Sequence, residues 1–359
     1  EFVFGDWSSD VCSSDLTWQT EKGAQAFKET ALLAYLAESL RRGEHLQAFE
    51  EMTRAAGGAA DSLTFASSAF LGSLQDFTEK LLRDDEREAA RLLSQARNRD
   101  LSIWNRGDLL QFAADRGGAE LLAEVQKFAA EANLQTPSVS AALGMLRNYY
   151  EPGNLDPALL GGLRRFSALI NTRIFPGIIK IKEGFFLEIE PGKIDVLASL
   201  LAGRILILAG GVEKDPVLES IGRDMVLSSL GLPDKQGFLP RHILFADPAL
   251  QGTEGRVPPE DVYPLVVDNP YYPRFVSLSR ELGPGAWIYT AANMTGFSIT
   301  EKENRFQFRY PEGATHHFVF RGARPYREIQ IWGIPWRVDY RFERYATGSF
   351  FIEDKKLFL

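Results

Sequence analysis

Between Arg241 and Phe275 the sequence gathers side chains able to move protons: Arg241-His242, Glu254, Arg256, Glu260, Asp261, Tyr263, Asp268, Asn269, then PYYPRF at Pro270–Phe275. Acid/base work on a sugar link needs one carboxyl to give a proton and a second carboxylate or base to receive one or hold charge. Glu254, Arg256, Asp261 and His242 are therefore the candidate catalytic residues, and Tyr271, Tyr272 and Trp287, flat rings with a polar edge, are the candidate substrate-binding ones. The same residues also suit a second role, in which Glu254 and Arg256 form interdomain ion pairs and the aromatic rings fill the joint. Tyr289, Trp332 and Trp336 carry the same ambiguity between sugar stacking and core.

Other chemistries leave no trace. There is no Gly-rich phosphate loop, no helical histidine pair for zinc, no nucleophile elbow and no EF-hand loop, and no cofactor is expected. The histidines are His45, His242, His316 and His317; neighbours in a strand point to opposite faces, so His316 and His317 do not share one metal. Arg321, Arg324, Arg327, Arg337, Arg341 and Arg344 make the end of the chain basic, yet Glu328, Asp339 and Glu343 interrupt the patch and the formal net charge is −8, which argues against nucleic acid. No run of 18 apolar residues occurs, so no membrane span is expected.

The elements that must hold these residues change rhythm along the chain. Phe70, Leu74, Phe77 and Leu81 recur at helical spacing, as do Val139, Leu143, Leu146 and Tyr150. Thr136-Pro137, Asp156-Pro157 and Asp215-Pro216 mark helix starts, and Gly43, Gly57-Gly58, Gly117-Gly118, Gly210-Gly211 and Gly231 mark stops. Eight or nine helices in an array of antiparallel hairpins are expected over 17–240, either closing into a toroid or staying open, with a β-hairpin inserted at 177–192. Residues 241–275 read as an irregular connection. Beyond them the period is two: Phe306, Phe308 and Tyr310 alternate with Arg305, Gln307 and Arg309, a turn follows at Pro311-Glu312-Gly313, and Trp336, Val338, Tyr340 and Phe342 share a face. An antiparallel β-sandwich is expected over 276–359, with a last hairpin, Ser349–Ile352 and Lys356–Leu359, ending on unpaired apolar residues as a truncated domain would. The expected class is thus α+β in two domains.

Asp6–Leu16, DWSSDVCSSDL, looks like the conceptual translation of a common short-read sequencing adapter, one codon for each residue. Residues 1–16 are read as a non-native tail. That tail holds the chain's only cysteine, Cys12, and through Glu1, Asp6, Asp10 and Asp15 half of its net charge. Without Cys12, a thiolate site or disulfide is excluded and the compartment stays open.

Two pairs of stretches carry a resemblance. HHFVFRGARPYREIQIWGIPW at His316–Trp336, with TGSFFIEDKKLFL, resembles the terminal β-sandwich that follows the catalytic module of several glycoside hydrolases. GKIDVLASLLAGRILILAGG at Gly192–Gly211, with GRDMVLSSLGLPDKQGFLP at Gly222–Pro240, is similar to helical hairpins of the (α/α) toroids of glycosidases and polysaccharide lyases, though no motif matches the Asn, His, Tyr and Arg set of such lyases. The resemblance implies a carbohydrate-active protein, lyase or hydrolase if an enzyme, with a polysaccharide partner and a periplasmic or extracellular setting. The alternative is a non-enzymatic envelope or scaffold protein that binds partners through its array and sandwich. Oligomeric state is not read from the sequence.

Overall fold

The structure, a computed structural model, describes residues 17–20, 23–26, 28–57, 63–246, 249–322, 328–331, 333–341, 349–353 and 356–358. It is a mixed helical and sheet protein, helices dominating the first part and strands the last, so α+β holds at that level. Its packing divides into two units: residues 1–86 with 269–359, and residues 87–268. The sequence reading drew its boundary near 240. The difference arises because contacts between segments far apart in the chain, invisible to periodicity, decide which elements share a core.

The first unit opens with β1 (Thr17–Thr20) and β2 (Gly23–Ala26), an antiparallel pair where helix was expected. Then come α1 (Glu29–Arg42), α2 (His45–Gly57) and α3 (Phe65–Leu71). Gly43 closes α1 in the left-handed conformation, as its place after the last periodic residue foretells. The stripe from Phe70 to Leu81 does not lie on one helix: Gly72 (φ +81°) and Ser73 (φ +64°) break it, and α4 (Leu74–Arg97) starts anew. All four residues nevertheless join one apolar cluster with Leu32, Leu36, Trp287 and Tyr289.

The second unit takes the rest of α4, then α5 (Leu109–Asp115), α6 (Gly118–Glu131) and α7 (Val139–Tyr150). Helix α7 is the one its spacing predicts, but Ser138 rather than Thr136 caps it, its hydroxyl accepting from Ala141 N. The core centres on Trp104, which meets Phe166 edge to face at 5.0 Å and Phe128 at 6.0 Å. Strands β3 (Ile178–Ile181), β4 (Gly184–Glu190) and β5 (Lys193–Asp195) follow, then α8 (Val196–Glu213) and α9 (Pro216–Leu230), capped by Asp195 and Asp215. Helix α8 runs through Gly210-Gly211, where the sequence reading placed a stop. It is the one helix among the described residues long and apolar enough to cross a membrane, and half of it is buried inside the protein, as in a core helix.

The expected irregular connection is instead regular structure: β6 (Leu239–Ala246), β7 (Ala249–Val257) and α10 (Pro259–Val266). Leu239, Ile243 and Val257 are core residues of this layer, and Pro259 sits in the first turn of α10, where its missing N–H costs nothing. Strands β3 to β7 form one antiparallel sheet in chain order, so the hairpin expected at 177–192 is present as β3 and β4 but is part of a five-stranded sheet.

Back in the first unit come β8 (Arg274–Ser277), α11 (Ser279–Leu282), β9 (Trp287–Thr290), β10 (Asn293–Ile299), β11 (Asn304–Arg309) and β12 (Phe318–Arg321). Short strands β13 (Gln330–Ile331), β14 (Ile334–Pro335) and β15 (Arg337–Val338) precede β16 (Ser349–Glu353) and β17 (Lys356–Phe358). One six-stranded sheet has the order β15-β16-β17-β12-β9-β8, antiparallel except for β15 beside β16. The ribbon β10–β11 turns Phe306 and Phe308 onto Phe320 and Phe318, and these rings pack with Leu278 and Ile288. Val338 and Tyr340, expected inside, are more than 60% exposed. The adapter-like segment, Trp332, Arg324, Arg327, Phe342, Glu343, Arg344 and Leu359 lie outside the described residues.

Candidate functional site

His242 and Glu254 come together, and the sheet register is the cause. On the antiparallel pair β6–β7, His242 stands directly opposite Glu254, so both side chains leave the same face. Across the other edge of β6, Asp195 on β5 stands opposite His242. The three make one cross-strand row of acid, imidazole and acid, with Arg256 two residues beyond Glu254 on the same face.

Asp195 anchors the row. Its Oδ1 accepts the Ala198 amide at 2.9 Å, capping α8, and its Oδ2 accepts from Arg241 Nη2 at 2.8 Å. His242 Nε2 lies 3.7 Å from that same Oδ2. The Asp195 carboxylate is nearly buried while the imidazole stays a quarter exposed and Glu254 fully in reach of solvent, so the acid at the back is held and the two groups at the front are presented. At that separation the carboxylate gives the ring no direct hydrogen bond and stands behind it as a fixed negative charge. The same contacts also tie β5 to β6.

The other candidates sit elsewhere. Arg256 is committed to the turn before β6: its guanidinium bonds Asp234 Oδ2 at 2.7 Å and Gln236 Oε1 at 2.6 Å and lies 4.9 Å from the Phe238 ring centre. Asp234 is held below the usual carboxylate range, first by the Phe238 N–H, then by that of Gln236 and the Arg256 charge. Asp261 is exposed in the first turn of α10, where a negative charge complements the helix dipole. Trp287 is fully buried and meets Phe275 edge to face at 5.2 Å, so it is a core ring with no face for a sugar. Tyr271 and Tyr272 pack against the same core, partly exposed. Tyr289 is buried too, donating its hydroxyl to Ala66 O, and burial raises its phenol well above the ordinary range. A surface groove on α2, lined by Phe49, Glu50, Thr53 and Arg54, contains none of these residues. No group of three or more His, Cys, Asp or Glu suited to a metal occurs among the described residues.

Asp195 is the residue that sequence reasoning missed. Its signal was present as an N-cap aspartate immediately before the apolar run Val196–Gly203, but nothing in that pattern says that the same carboxylate reaches β6.

Compared with known protein families, with curated proteins and with solved structures, the chain matches none.

Proposed function

We propose that the chain is a carbohydrate-active protein, a polysaccharide-degrading enzyme or a fragment of one, whose proton transfers are made by His242 and Glu254. The observation that carries this reading is the row Asp195–His242–Glu254: a held acid, a partly exposed base and an exposed acid on one sheet face. In such a pair one group can protonate the leaving glycosidic oxygen while the other takes a proton from the attacking water, for hydrolysis, or from the carbon beside a sugar carboxylate, for elimination. Asp195 sets a negative charge behind the imidazole. The substrate class rests on the resemblance to toroid-plus-sandwich enzymes; the row itself does not require a toroid or a sandwich.

The test is a panel of acidic and neutral polysaccharides, followed by calorimetry for binding and by the appearance of new chain ends for cleavage. The proposal expects binding and cleavage of at least one class; no binding to any of them overturns it.

A second reading, a scaffold that binds partners, draws on a different observation. Ile334, Val338 and Tyr340 expose large apolar surface within seven residues of chain. Replacing Val338 and Tyr340 by Ser would weaken partner capture without changing any glycan response.

A further inference from the structure

Pro311 to His317 links β11 to β12, and both imidazoles at its end are partly buried. The His316 ring lies 4.6 Å from that of Tyr310, tilted 37°, and about 6 Å from those of Phe308 and Phe318. Its Nε2 is buried without a hydrogen-bond partner, and so is the Tyr310 hydroxyl. These rings are also what seats the β10–β11 ribbon: Phe308 stacks on Phe318 at 4.8 Å and Phe306 meets Phe320 edge to face at 5.3 Å.

A neutral imidazole fits such a wall. An imidazolium there gives up its hydration for aromatic faces, which return only part of it. The titratable groups around His316 are Tyr310 from β11, Tyr271 beyond it at 6.1 Å from Tyr310, and His317 beside it; β12 contributes Phe318. None of these carries a negative charge between pH 4 and 7. Arg309 and Glu312 are exposed.

We propose that the Pro311–His317 connection is an acid-sensitive latch: protonation of His316 unseats the β10–β11 ribbon from β12, uncovering Phe306, Phe308 and Tyr310 while residues 87–268 stay folded. Burial pushes both imidazoles down to about 4, below the ordinary 6.5, with His317 adding to the effect on His316. The seated state therefore favours the neutral rings. Its stabilisation is complete above pH 6.5 and is lost progressively as pH falls from 6.5 toward 4.

Hydrogen exchange on the full chain, corrected for intrinsic chemical rates and followed from pH 7.5 to 4.5, tests the latch. The ribbon, Asn293–Arg309, is expected to open relative to α7 by up to about tenfold per pH unit below pH 6.5. His316→Phe, which keeps an aromatic ring in the wall, should remove that dependence. Proton NMR of the imidazoles supplies a second readout that needs no variant: of the four histidines, two should stay neutral to below pH 5. Titration of all four near 6.5, or equal opening of the ribbon and α7 as pH falls, would overturn the latch.

Discussion

Asp195 spends both carboxylate oxygens on different neighbours, the α8 amide end and Arg241, and that division can be taken apart. Asp195→Ala should cost about 1 kcal/mol from the lost cap, and more from the unpaired Arg241. Asp195→Asn keeps a capping oxygen and should recover most of the cap's share while leaving His242 without its anionic partner; urea denaturation measures the first effect and glycan turnover the second. Trp287 makes the opposite kind of prediction. Because its whole ring is in the core, Trp287→Ala should cost about 3–5 kcal/mol by urea denaturation, a loss of folding rather than of a ligand. The candidates at this scale were legible only as chemistry. His242 and Glu254 were picked out by type, but their pairing is a matter of register over twelve residues, which the register shift at Leu244/Phe245 and the left-handed Gly255 (φ +64°) keep from being counted along the chain. Trp287 misled because β9, WIYT, is buried on both faces and so shows no alternation to mark which side chains point inward.

Among the elements, α8 and α9 cross on glycines, and their closeness is what a methyl group would test. A Cβ at Gly203 would stand 2.7 Å from Gly222 O, and one at Gly222 only 2.5 Å from Gly203 O. Gly203→Ala or Gly222→Ala should each cost about 1–3 kcal/mol by forcing the two backbones apart. Gly144 on α7 is tighter still, since its Cβ would overlap the Trp104 carbonyl, so Gly144→Ala should lower the melting temperature more than either. Helices with a full stripe were readable: α7 lies where Val139, Leu143, Leu146 and Tyr150 put it. Proline density was the poorer guide. It made 241–275 look irregular, whereas Pro258-Pro259 starts α10 and Pro240 lies within β6, a strand whose inward Ile243 and Phe245 alternate with His242 and Leu244.

At the scale of the molecule, the second unit is one continuous stretch of chain while the first is built from two separated ones. A fragment spanning 74–268, which keeps α4 whole, should therefore fold alone and melt cooperatively by circular dichroism; a broad, non-cooperative melt would show that its two apolar clusters do not suffice. The change of side-chain period near 240 was real as a change of composition. It could not reveal that α1 to α3 share a core with β8, β9 and β12, because that pairing joins residues more than two hundred positions apart. The functional account reduces to one comparison, made on whichever polysaccharide the protein cleaves: initial rates for the intact chain, His242→Ala and Glu254→Gln, with folding checked by circular dichroism. A fall of about 100-fold or more in both variants is what proton transfer by this pair predicts; rates equal to that of the unaltered chain would contradict it.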